Sequence, residues 1–190
     1  MVVPSARDVL IEAAADQYGY VTVDDAARYG INSHAISELM KREAVEQVSR
    51  GIYRMSVLPY VPDGDLYLAV LLTGRKGVIG GESAIALHEL ADALPSRIRV
   101  AVPPGFKTTR QVPGPRISFE PWPFTRDDTT EVRNIPVADV PMAVLMAIKE
   151  GIDPSLIDQA IINAERRQLI GRRTAARLTV ALDDFERGLA

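Results

Sequence analysis

Residues 19–55 constrain this chain more than any other stretch. Gly19 breaks a preceding helical pattern, and Tyr20-Val21 is a short extended piece. Thr22 then stands where an N-cap belongs, with Asp24 and Asp25 in the first turn, where the helix dipole favours acids. That helix covers 23–29 and stops at Gly30. Asn32 or Ser33 caps a third helix running to about residue 42, in which Ile36, Leu39 and Met40 share a face. Two brief apolar runs follow, 45–48 and 52–55, joined by Ser49-Arg50-Gly51. A first helix, from Ser5 to about residue 18, precedes the whole.

Helix, short strand, two helices with a tight break, then a hairpin: this order predicts a winged helix-turn-helix at residues 1–57. Helix 33–42 takes the recognition position, with Ser33, His34, Ser37, Lys41 and Arg42 as candidates for a major groove. Glu38 sits among them. Arg50 at the wing tip and Arg54 on its second strand are candidates for phosphates or an adjacent minor groove. Charge tempers this reading. The protein carries a formal net charge of −3, and residues 1–57 hold six Lys or Arg against eight Asp or Glu. A DNA footprint must therefore come from local placement of cations.

Pro59 and Pro62-Asp63-Gly64 mark a linker at about 58–64, after which 65–190 reads as a larger domain. It has helices at 65–72 and from Gly81 to about residue 91, then strands at 97–102, 116–120 and 129–135. Pro121-Trp122-Pro123 is a stiff loop between the last two. Helices follow at 141–149, from Asp153-Pro154 to Gly171, and from Thr174 to about residue 187. The predicted class is α+β: a winged helix-turn-helix joined to a larger domain with a small antiparallel sheet and C-terminal helices. Arg166, Arg167, Arg172, Arg173 and Arg177 cluster about Gly171 as a candidate protein-interaction surface.

Several chemistries have little footing. There are no cysteines, and the two histidines, His34 and His88, lie on different elements; neither a metal site nor a cofactor is expected, and no catalytic residue stands out. Gly80-Gly81-Glu82-Ser83 resembles a nucleotide-gripping turn, but the next strand has no carboxylate to pair with a metal. A tight turn feeding a packed helix is the preferred reading. No apolar run of eighteen residues exists and no secretory signal opens the chain, so a cytoplasmic protein without a membrane partner is expected.

Gly19-Tyr20-Val21-Thr22, the helix pair and Arg50-Gly51-Ile52-Tyr53-Arg54 resemble the antitoxins of the AbiEi type. The resemblance continues through Gly81-Glu82-Ser83-Ala84-Ile85-Ala86-Leu87-His88-Glu89-Leu90, Arg99-Val100-Ala101-Val102-Pro103 and Ile135-Pro136-Val137. It implies an antitoxin of a type IV toxin–antitoxin system, whose functional partner is a nucleotidyltransferase-like toxin. It further implies a winged helix that represses the shared promoter by binding operator DNA. Direct contact with the toxin stays open. Two other readings fit the residues: a phosphotransferase or nucleotidyltransferase-like enzyme modifying the toxin, and a winged-helix interaction module that does not bind DNA.

Overall fold

The computed structural model describes residues 5–188; residues 1–4 and 189–190, the outermost parts of the two expected domains, lie outside the described residues. The chain divides into two compact units, Met1–Arg75 with Thr108–Gly114, and Lys76–Lys107 with Pro115–Ala190. Among the described residues no helix is long and apolar enough to cross a membrane.

In the first unit, α1 (Ala6–Ala15) opens on a reciprocal cap between Ser5 and Asp8. It ends where Tyr18 and Gly19 both take positive φ, 56° and 84°. β1 (Tyr20–Thr22) leads into α2 (Val23–Arg28). Thr22 Oγ1 accepts from the Asp25 amide at 3.1 Å, and the Asp25 carboxylate accepts from the Thr22 amide at 2.9 Å. This capping box satisfies two amides that the helix itself leaves unpaired. Asn32 caps α3 (Ser33–Lys41) through the Ala35 amide at 3.0 Å. β2 (Val45–Ser49) and β3 (Ile52–Met55) form the wing, and the antiparallel sheet runs β1-β3-β2. Leu10, Ala14, Val21, Ala26, Ile36, Leu39, Val45 and Met55 close the core between helices and sheet.

α4 (Gly64–Leu72) belongs to this unit, which thus reaches past the 58–64 linker expected from the sequence. The reason lies in contacts distant along the chain. The Tyr67 ring stacks on Tyr18 at 5.4 Å, and its hydroxyl donates to Gln17 at 3.0 Å. Just beyond α4, Arg75 donates to Asp25 at 2.9 Å. Burial pushes the Asp25 carboxyl upward, but the bonds from Arg75 and Thr22 outweigh it and hold the group below its ordinary value. Residues 108–114 also return to this unit: Ser49 Oγ donates to the Gln111 carbonyl at 2.8 Å, at the end of β2.

The second unit is built on β4 (Val78–Ile79), β5 (Ile98–Val102), β6 (Ile117–Pro121), β7 (Thr129–Val132) and β8 (Ile135–Ala138), ordered β6-β5-β4-β8-β7. The sheet is mixed, not the antiparallel one expected: β5 pairs with β6 and β4 with β8 in parallel. The connection from β5 to β6 makes the 108–114 excursion, and so long a crossover returns the chain in the same direction. The expected single strand 129–135 is a hairpin that turns on Arg133 and Asn134, both at positive φ.

α5 (Gly81–Leu87) and α6 (Val140–Lys149) pack closely against each other, followed by α7 (Pro154–Arg166) and α8 (Arg172–Glu186). α8 starts at Arg172 rather than the expected Thr174, with Gly171 as its N-cap. α6 is buried on nearly every side, as its Ala- and Val-rich sequence requires. The glycine pair lets α5 and α6 meet. A Cβ on Gly80 would stand 2.7 Å from the Met146 thioether, and one on Gly81 would overlap the Glu150 carboxylate. Gly81 also has φ +53°. Gly80-Gly81-Glu82-Ser83 is therefore a packing device at the start of a buried helix.

Candidate nucleic-acid interface

α3 turns by about 100° per residue, so Ile36 and Leu39, buried in the core, set the direction of every other side chain on it. His34 and Lys41 fall opposite that pair, with Ser37 and Glu38 on either side, all on the solvent face. Ser33 lies at the edge of the face. Arg42, the C-cap residue, is turned about a quarter-turn aside and lines an open cleft with Ser5, Arg7, Leu39 and Val57.

Three of the outward side chains are already engaged on the helix itself. Ser37 Oγ donates to the Ser33 carbonyl at 2.9 Å. Lys41 Nζ holds the Glu38 carboxylate at 2.7 Å, with Lys41 71% and Glu38 39% exposed. An exposed pair of this spacing is weak and readily exchanged for a phosphate. The wing presents Arg50 to solvent at its tip. The tip is fixed in turn: the Gly51 carbonyl accepts from the Val23 amide at 3.1 Å, at the first residue of α2.

Arg54 does not join this set. It is half-buried, its guanidinium donates to the Leu58 carbonyl at 2.8 Å, and it lies over the Tyr60 ring at 5.2 Å. The β3 pattern alone could not reveal those partners, because both follow the wing. The exposed cations of the face are thus Lys41 and Arg50, flanked by Arg42. Asp25, one of the eight acids of the segment, is buried and paired with Arg75, so it adds nothing to the outer potential.

The C-terminal arginines divide similarly. Arg167 Nη1 donates to the His88 and Glu89 carbonyls at 2.9 and 3.0 Å, closing the end of α5. Arg172 faces Glu165 at 3.8 Å. Arg166, Arg173 and Arg177 are exposed and have no hydrogen-bond or ion-pair partner among the described residues. Exposed Ile162, Leu169 and Val180 lie on the same two helices and their connection. His88 caps α5: its Nε2–H donates to the Ala138 carbonyl at 2.8 Å, and burial pushes its pKa down, so the ring is neutral. Among the described residues no group of three or more His, Asp or Glu is placed to hold a metal ion.

A capped helix pair, a three-stranded sheet in the order β1-β3-β2 and a wing beside an outward helix face define a winged helix-turn-helix fold. Residues 8–56 match the family described as transcriptional regulator, AbiEi antitoxin. The chain as a whole shares its fold with the crystal structure of the RV2827C protein from Mycobacterium tuberculosis. The two are 17% identical with a TM-score of 0.52, over 97% of this chain and 78% of that one. No protein of curated function matches the chain.

Proposed function

We propose that this protein is the antitoxin of a type IV toxin–antitoxin system, that it counters a nucleotidyltransferase-like toxin, and that it represses its own operon. The observation that carries the reading is the match of residues 8–56 to a family of regulatory antitoxins, on a module with an outward recognition helix and wing. Ser33, His34, Ser37 and Lys41 contact the major groove of the operator, and Arg50 takes a phosphate beside it. Arg42 reaches the backbone from the flank of α3. The family's description is that of a regulator, which supports action by binding rather than by catalysis.

The toxin-directed surface lies on α7 and α8. Arg166, Arg173 and Arg177, interleaved with exposed Ile162, Leu169 and Val180, suit an acidic protein surface with an apolar centre. Co-expression with the product of the adjacent gene tests the antitoxin reading. Growth arrest by that product, relieved by the full chain, is the expected result. Arrest that persists at full antitoxin expression overturns it. Loss of relief in an Arg173→Ala/Arg177→Ala variant that remains folded supports the α8 surface; undiminished relief removes it.

A further inference from the structure

The second unit holds a charged cavity that neither the DNA reading nor the α7–α8 surface uses. β5 and β6 run parallel with Arg99 opposite Ser118 and Ala101 opposite Glu120. Side chains alternate along a strand, so Arg97, Arg99, Ser118 and Glu120 share one face of the sheet. The last turn of α6 covers that face. Lys149 and Glu150, with Trp122 beyond the end of β6, enclose about 310 Å³, within the range of cavities that hold small organic ligands.

Its inner wall is the Arg99–Glu150 ion pair. Arg99 Nε donates to Glu150 at 2.7 Å, and Arg99 Nη1 is 3.9 Å from Glu82. Arg99 Nη1, Ser118 Oγ and Glu150 Oε1 are buried and make no hydrogen bond among the described residues. Buried polar groups are almost always satisfied, and the two on lining residues, Arg99 Nη1 and Glu150 Oε1, suit a polar occupant. Three cations line the cavity, Arg97, Arg99 and Lys149, with the carboxylates of Glu120 and Glu150, while Glu82 lies against Arg99 from behind. Burial pushes the Glu150 carboxyl up to about 7, so its negative charge is incomplete at neutral pH and the balance tips to the cations. Trp122 adds a flat apolar wall, with Lys149 Nζ 5.2 Å from its ring centre.

We propose that this cavity binds a free mononucleotide. Arg97 and Arg99 take the phosphate, the Trp122 ring stacks on the base, and Glu120 accepts from sugar hydroxyls or a base amino group. No bare anion uses the aromatic wall and the carboxylate together. Trp122 is the only tryptophan of the chain, so its emission reports on the cavity alone.

The test is a titration of the full chain with AMP, GMP, CMP, UMP and, separately, inorganic phosphate, followed by Trp122 fluorescence and by calorimetry. At least one mononucleotide is expected to give a saturable change with a Kd below about 1 mM. It should bind at least roughly tenfold more tightly than phosphate. Arg97→Ala, at an exposed position, should weaken that binding by about tenfold with an unchanged circular dichroism spectrum and melting temperature. Three results overturn the proposal: no saturable response to any mononucleotide, phosphate binding as well as the nucleotides do, or wild-type affinity in the Arg97→Ala protein.

Discussion

Glu38 is the one acid on the outward face of α3, and replacing it with glutamine is expected to tighten DNA binding. Its carboxylate holds Lys41 at 2.7 Å in the free protein. As an exposed pair three residues apart on a helix, the contact contributes only about 0.2–0.5 kcal/mol to folding. Glu38→Gln should therefore leave the melting temperature almost unchanged. On DNA the same carboxylate faces phosphates. At about 7 Å and an effective dielectric of ~20–80 the repulsion is roughly 0.6–2.4 kcal/mol, reduced further by salt. A net gain of about 1 kcal/mol corresponds to roughly fivefold tighter binding. Release of Lys41 to a phosphate should also steepen the dependence of log K on log salt by about 0.9. Fluorescence anisotropy with a duplex from the protein's own upstream region, at three salt concentrations, reads both quantities. Unchanged or weaker binding by a folded Glu38→Gln protein would refute the reasoning, since it would mean that the carboxylate points away from DNA or itself reads a base.

Three further substitutions test the fold around the sites. Asp25→Ala removes the acceptor of the Thr22 amide and the partner of Arg75, and is expected to cost about 2 kcal/mol in a urea titration at neutral pH. Because the Asp25 pKa is depressed on folding, this contribution is present above 3.8 and lost as pH falls through the lower native value, so the gap between variant and wild type should close in acid. Gly81→Ala forces a Cβ onto the Glu150 carboxylate at φ +53°, and a loss of about 1–3 kcal/mol in thermal unfolding is expected. Glu150 shows the opposite linkage to Asp25: its pKa rises from 4.5 to about 7 on folding, so the native state binds the extra proton between those values. Stability on its account is complete below 4.5 and lost as pH rises through about 7, a difference of roughly 3 kcal/mol. Glu150→Gln should flatten that slope in urea midpoints measured from pH 4.5 to 8, and a profile parallel to wild type would show that the carboxyl is not desolvated.

Local signals carried most of the first unit. Thr22 with Asp25, Asn32 before α3 and Gly51 in the wing each announce their role through short-range chemistry, and the 3.6-residue period of Ile36 and Leu39 already separates the buried from the outward face of α3. The α+β class and the winged helix were legible for that reason. What depended on distant partners was not. Pro62-Asp63-Gly64 reads as a linker, yet α4 is tied back by Tyr67 to Gln17 and by Arg75 to Asp25. β4 is two residues long, too short for any period, and its parallel pairing with β8 makes the larger sheet mixed. The β7–β8 turn uses Arg133-Asn134 without glycine, which hid the hairpin. Among the candidate site residues, Lys41 and Arg50 were recognisable as exposed cations, whereas Arg54 and Arg167 are held by carbonyls that only the fold supplies. The cavity between Arg99, Glu120 and Glu150 was invisible because parallel pairing and the end of α6 assemble it from three separate segments.

The most direct measurement is the affinity of the full chain for a duplex from its own upstream region against a random duplex of equal length, at about 0.15 M salt. Binding to its own upstream region should be tighter by a factor of about 10³ or more. Lys41→Ala/Arg50→Ala should abolish most of that difference and lower the salt slope by about 0.9, the one phosphate contact of Arg50. Equal affinity for the two duplexes, or a double variant that binds as wild type does, would contradict the assignment of α3 and the wing to operator DNA.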